Sequence, residues 1–409
     1  MKTLILLLTV SMIGMQSFAQ LANSYPNDVG IENDPNVLYV EKFDDGMTNI
    51  LSRYSDQKNT AGMSLNNDKP EGSLGQNSLK MTSITGGVNN GGHLYKLFTP
   101  GFDSTVYIRY YVKYPSISDG YFHHESVWFG GYNPSTAWPN PQAGTCGLGS
   151  SRLSVAYEPV WQQVNPPGMD TYFYWGDMKS YDGGSTCYGN VMITEGRTDY
   201  GGPPSTDSPT VAYDQWMCIE IMIKLNNPVT AYNGELKVWQ NGVQVGYWGP
   251  GFPNGHWLKD KWYNNPNDPP FQGFRWRTDA NLIINWLWFE FYHDDPNAPS
   301  SYIKFDHLVM AKEYVGPIYD ATGVINKPDV ISAIKFYPNP TSGQSTIDLG
   351  KTYNHTELII KNIFGQAVFQ KEFENTSSLN FEIKGPSGLY FAQIQIANNN
   401  STTLKVLKE

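Results

Sequence analysis

The stretch Thr105-Val-Tyr-Ile-Arg-Tyr-Tyr-Val-Lys-Tyr114 decides the fold. Val106, Ile108, Tyr110 and Val112 fall on one face and Tyr107, Arg109, Tyr111 and Lys113 on the other, the period of two that an extended strand gives. The same alternation returns in Trp216–Leu225, where Met217, Ile219, Ile221, Ile223 and Leu225 oppose Glu220 and Lys224. In Asn285–His293, Leu287, Phe289 and Phe291 oppose Trp286, Trp288, Glu290 and Tyr292. Strand patterns also cover Val37–Phe43, Ser126–Tyr132, Arg152–Glu158, Thr171–Trp175 and Tyr302–Ala311. Asn241-Gly242, between Glu235–Gln240 and Val243–Trp248, is a two-residue hairpin signal. Helical periodicity is absent beyond the first residues. Many strands, long connections and no βα alternation predict an all-β protein whose main body is a two-sheet antiparallel β-jelly roll.

The ends of the chain read as addresses. Met1-Lys2 precedes an apolar run from Thr3 to about Met15 and then Ser17-Phe18-Ala19, a small-x-small cleavage pattern. The run is shorter than the roughly 20 residues a membrane span needs, so residues 1–19 are expected to be a removed signal peptide and Gln20 the mature N-terminus. No later stretch is long and apolar enough to be a transmembrane segment. The chain carries 38 acidic against 28 basic residues, a net charge of −10, which argues against nucleic acid as a partner. All 12 tryptophans lie between Trp128 and Trp288, more than a strand core alone asks for, so part of this ring surface is expected to stack on sugars. Cys218 alternates with apolar neighbours and reads as a buried free thiol. Cys146 and Cys187 sit in loops of an exported protein, where a disulfide can persist, and the sequence leaves bridge and free thiols both open.

The C-terminal residues carry a more specific pattern: Ile334-Lys-Phe-Tyr-Pro-Asn-Pro-Thr-Ser-Gly343, Asn362-Ile-Phe-Gly365, Gly388-Leu-Tyr-Phe391 and Thr402-Thr-Leu-Lys-Val-Leu-Lys-Glu409. This resembles the C-terminal sorting domain of the bacterial type IX secretion pathway. The resemblance implies a small Ig-like β-sandwich at 331–409, the type IX machinery as a partner, and a secreted or cell-surface protein. The expected organisation is a signal peptide at 1–19, a β-jelly-roll polysaccharide-active domain at 20–318, a linker at 319–330 and the sorting domain at 331–409.

Three segments of the body, Leu38-Tyr-Val-Glu-Lys-Phe-Asp-Asp-Gly46, Val106–Tyr114 running on to His123-His124 and Trp128-Phe-Gly-Gly-Tyr-Asn-Pro134, and Tyr302-Ile-Lys-Phe-Asp-His-Leu-Val-Met-Ala311, resemble exported jelly-roll proteins related to polysaccharide lyases. In such folds the first and last strands pair. The resemblance implies a structural calcium clipping them through Glu41 and Asp306, with no organic cofactor; carboxylates that merely cap turns or meet lysines are the alternative. It also implies β-elimination on a uronic-acid polysaccharide of the alginate, glucuronan or ulvan type. That chemistry needs a cation to neutralise the uronate carboxylate and a base and acid for the protons. Strand parity nominates Arg109 as neutraliser with Lys113 beside it, His124 as base with His123 as its substitute, and Tyr292 and Tyr111 as acids. Tyr107, Trp239, Trp286 and Trp288 are the expected substrate-binding residues. Two alternatives stay open: a non-catalytic carbohydrate-binding protein using the tryptophans, and a jelly-roll glycoside hydrolase using Glu220 and Glu290.

Overall fold

The computed structural model describes residues 20–83, 91–116, 123–140, 143–147, 149–159, 165–192, 209–292, 300–320, 335–362, 367–396 and 400–409. The expected signal peptide, most of the expected linker and His293 lie outside these residues. The chain divides into two compact units, Met1–Tyr319 and Asp320–Glu409.

The first unit is built from two antiparallel sheets. One contains β1 (Val37–Glu41), β3 (Met63–Asn66), β4 (Ser78–Thr82), β6 (Thr105–Lys113), β10 (Met217–Lys224), β11 (Glu235–Gln240), β12 (Val243–Trp248) and β14 (Tyr302–Ala311). Their order is β12-β11-β10-β6-β14-β4-β3, with β1 also on β14. The other runs β9-β8-β7-β13-β5-β2, from β2 (Asp56–Lys58), β5 (Gly92–Phe102), β7 (Glu125–Tyr132), β8 (Arg152–Pro159), β9 (Met169–Tyr174) and β13 (Ile284–Phe291). First and last strands pair, as expected, with Val40 opposite Val309. The predicted hairpin forms at Asn241-Gly242, whose φ angles of 52° and 78° are those a tight β11–β12 turn requires.

The alternation read from the sequence sets the core. Val106, Ile108, Tyr110 and Val112 of β6 meet Val127 and Phe129 of β7 and Leu287, Phe289 and Phe291 of β13 in one buried cluster. This leaves two outer faces, one per sheet, each carrying polar and aromatic side chains. The outer face around β6 is covered by the segment that precedes β1. Leu21 and Ala22 donate backbone N–H groups to Tyr314 and Val315, and Leu21, Ile31, Val309, Ala311 and Val315 form a small apolar cluster. Beneath it Asp28, fully buried, accepts hydrogen bonds from Arg109 and His307.

Burial pushes the Asp28 carboxyl up, but the Arg109 charge and the His307 hydrogen bond outweigh it and hold the group at about 2. A carboxyl depressed in the folded state stabilises above its unfolded value and loses that contribution as pH falls through the folded one. Asp28 should therefore contribute about 2 kcal/mol at neutral pH, lost between pH ~4 and ~2. Urea titrations across that window check this: stability should fall in wild type, and the Asp28-dependent part of the fall should vanish in Asp28→Asn.

The second unit holds β15 (Lys335–Tyr337), β16 (Gln344–Asn362), β17 (Ala367–Glu382), β18 (Gly388–Ile396) and β19 (Asn400–Lys408), ordered β15-β16-β18-β19 with β17 on β16. Ile347, Leu358, Ile360, Phe381, Tyr390 and Ile394 are among its core residues. Among the described residues no helix is long and apolar enough to cross a membrane.

A candidate polysaccharide cleft

The outer face of the β9-β8-β7-β13-β5-β2 sheet is a cleft of about 1040 Å³. Its floor can be built from strand register. In one row Lys58 lies opposite His93, His93 opposite Glu290, and Glu290 opposite Ser126. Two positions along, Tyr95 lies opposite Trp288 and Trp288 opposite Trp128. Two further, Trp286 lies opposite Gly130, Gly130 opposite Ser154 and Ser154 opposite Tyr174. Tyr132 and Arg152 face each other in the last row. Gly130 is required by the close approach of the β8 backbone, since a Cβ on it would lie 2.1 Å from the Leu153 carbonyl oxygen.

Hydrogen-bonding groups on this floor lack protein partners. The indole N–H groups of Trp128, Trp286 and Trp288, the Nε and Nη2 of Arg152, and one carboxyl oxygen each of Glu158 and Glu290 are buried without one. Such groups are costly unless a ligand or water satisfies them. Arg152 is 4% exposed, and its guanidinium lies 3.9 Å above the Tyr174 ring, with no carboxylate paired to it among the described residues. Burial pushes the Tyr174 phenol up, with a hydrogen bond from Tyr172 and the Arg152 charge pulling back. Tyr132 is also raised by burial, opposed by the Asn140 N–H on its oxygen and by Arg152.

At the other end His124 Nδ1 bonds Glu158 at 2.9 Å and His93 Nε2 bonds Asp56 at 2.7 Å. Glu290, 2% exposed, is pushed well above the usual carboxylate range by burial. Arg152 and Glu158 are six positions apart on β8, roughly 20 Å along a strand. Aromatic contacts bridge that interval: Tyr174 to Tyr172 at 5.9 Å and Tyr172 to His124 at 4.9 Å. The Tyr172 hydroxyl accepts the Gly189 N–H at 2.6 Å, and a Cβ at Gly189 would strike the Tyr172 ring. The Gly189 loop is pinned by a Cys146–Cys187 disulfide, while Cys218 is a buried free thiol.

Of the residues nominated from sequence, His123, His124, Tyr292, Trp286 and Trp288 line this cleft. Arg109, Tyr107, Tyr111, Lys113 and Trp239 do not; they belong to the opposite sheet and are corrected here. Arg109 is fully buried against Asp28. Tyr111 accepts the Ile318 N–H, Lys113 pairs with Asp68 at 2.9 Å, and Trp239 packs on Tyr107 and Tyr314. Parity assigned each residue to an outer face, but a sandwich has two. Glu220 is likewise misplaced: its carboxylate accepts the Val315 and Gly316 N–H groups and cannot meet Glu290 across the cleft.

The calcium clip does not fit Glu41, whose carboxylate is occupied by Arg53 at 2.7 Å and 3.0 Å, by Tyr54 and by the Phe43 N–H. Asp306 is buried and accepts the His307 N–H. Among the described residues no cluster of three or more His, Cys, Asp or Glu is arranged to hold a metal. Sequence reasoning missed Arg152, Ser154, Glu158, Tyr172, Tyr174 and Tyr132. Their signal was present in Arg152–Glu158, where Arg152, Ser154 and Glu158 alternate with apolar Leu153, Val155 and Tyr157.

Comparison with known proteins gives a class for one end of the chain. Residues 335–409 match the family described as secretion system C-terminal sorting domain, and this segment is such a domain. An endo-acting ulvan lyase of Formosa agariphila is 35% identical over 78 residues, covering 19% of this chain and 15% of that protein. The aligned length is close to that of residues 335–409. Among solved structures, the alginate lyase vAL-1 from Chlorella virus is similar at TM-score 0.41 and 17% identity, covering 68% of this chain and all of that one. The cellulose-induced protein Cip1 is similar at TM-score 0.40 and 14% identity, with the same coverage. The two sheets themselves make the first unit a β-jelly roll with a cleft on one outer face, and residues 335–409 are a sorting domain.

Proposed function

We propose that the first unit is an exported polysaccharide lyase that cleaves beside a uronic acid by β-elimination. The observation that carries this reading is Arg152: a buried guanidinium on the cleft floor, with Nε and Nη2 unpartnered and no acidic partner among the described residues. A uronate carboxylate is the planar anion this fork fits. Binding it there offsets the charge that develops when the C5 proton leaves. Tyr132, opposite Arg152 in register, is assigned as base on position; burial raises its phenol, and the Asn140 N–H and the guanidinium offset part of that rise. Tyr174 keeps its proton and donates it to the departing glycosidic oxygen. Trp286, on β13 and stacked against the Tyr132 ring, supplies an indole N–H for a hydroxyl.

The test is a polymer screen reading the ultraviolet absorbance of the unsaturated uronate alongside new reducing ends. Both should rise together on a uronate polymer. Tyr174→Phe should lower kcat by about a hundredfold with KM little changed, the signature of a lost proton donor.

A second reading is favoured by one observation at the other end. Burial pushes Glu290 well above the usual carboxylate range, Glu158 is hydrogen-bonded by His124, and the two strands that carry them flank β7. Two inter-strand spacings put their backbones roughly 10 Å apart, compatible with the ~6.5–9.5 Å carboxyl separation of an inverting hydrolase. Reducing ends without the chromophore, abolished by Glu290→Gln, would replace the lyase reading with this one.

A further inference from the structure

The two ends of the cleft have opposite chemical preferences. At one end Arg152 waits for an anion. At the other, Lys261 is 3.5 Å from Asp260 and Lys58 is exposed on the edge strand, while three acidic side chains, Asp56, Glu158 and Glu290, line the floor. Glu158 gives one oxygen to His124, and its other oxygen is buried without a partner, as is one oxygen of Glu290. A second carboxylate or sulfate placed there would face the Glu158 carboxylate in a poorly screened site. A hydroxyl would satisfy them, because it donates as well as accepts. Trp128 and Trp288, directly opposite each other, add two unpartnered indole N–H groups beside this row.

We propose that the substrate is a heteropolymer in which uronate residues are separated by uncharged, hydroxyl-bearing sugars: Arg152 takes the uronate, and the Glu158–Glu290 end takes an uncharged ring stacked along Trp128 and Trp288. This rests on the lyase reading for the Arg152 end and adds the substrate class. The interval between the two ends exceeds one sugar ring, so both positions are filled together only by a chain. Polymers charged on every residue bring like charges against Glu158 and are disfavoured.

The test measures the retardation of the full chain in native gels containing single polymers, independent of turnover. Sodium alginate and polyglucuronate carry a uronate on every residue. Hyaluronan, unsulfated chondroitin and gellan intersperse uronate with uncharged sugars. At least one mixed polymer should be bound about tenfold more tightly than either homopolymer, and Glu158→Gln should narrow that ratio by strengthening homopolymer binding. Equal or tighter binding of the homopolymers, or a ratio unmoved by Glu158→Gln, overturns the proposal. Selective retardation by a mixed polymer without any unsaturated product removes the lyase reading and leaves the charge pattern standing.

Discussion

Arg152→Ala is expected to lower kcat/KM on the uronate polymer by about a hundredfold to a thousandfold, the range seen when a preorganised charge stabiliser is removed. The fold should survive. Among the described residues Arg152 makes no ion pair, and its guanidinium rests on the face of Tyr174 at 3.9 Å, so truncation leaves no orphaned charge behind. Its burial instead makes the native guanidinium costly, since desolvation lowers its pKa with only neighbouring phenols opposing. Thermal unfolding of the variant should therefore match or exceed wild type. Arg152→Lys should recover little, because one ammonium cannot reproduce the two-pronged contact. Turnover by Arg152→Ala within tenfold of wild type would move the reacting sugar away from this end.

Arg109→Ala should give the opposite pattern: a stability loss of about 3–5 kcal/mol, because the Asp28 carboxylate would remain buried with its charged partner gone. Arg109 and Asp28 are each fully buried and lie in a fold that shuts the β6 face away from solvent. Urea unfolding measures the loss. Asp28→Ala paired with Arg109→Ala should cost less than the sum of the two singles, since the pair is then removed together. A variant of Arg109 that unfolds like wild type yet fails to cleave would reverse the assignment of this residue from structure to chemistry.

These two arginines also mark how far sequence carries. Strand existence and parity were legible: β6, β10 and β13 bury the faces expected of them, and the Asn241-Gly242 turn forms where its two left-handed residues require. What periodicity cannot say is which sheet a strand joins. Arg109 and Arg152 occupy the same kind of position, a polar site on an alternating strand, and differ only in what lies above. Over Arg109 lies a segment of short turns before β1, held by Asp28 and by backbone hydrogen bonds to Tyr314 and Val315. Such a segment has no repeating pattern to announce it. Arg152 instead lines the cleft, with Ser154 and Gly130 in the neighbouring row. His124, Trp286 and Trp288 line the cleft because they lie on its side of the sandwich, whereas Tyr111 and Trp239 satisfy the same parity on the other sheet. The Glu41 carboxylate shows a related gap: an acidic residue on a paired strand suits a cation, and the cation supplied is Arg53.

The Gln20 side chain donates to the Pro317 carbonyl at 2.7 Å, so the described stretch of the first unit begins and ends side by side. A short peptide could close that gap, and new termini could be opened at the exposed Asn241-Gly242 turn on the edge hairpin, far in sequence from Asp28 and from every strand of the cleft sheet. Such a circular permutant should fold and retain the cleft, with the type IX sorting segment relocated behind β11. The order in which the chain is written is then separable from the sheet that carries the cleft.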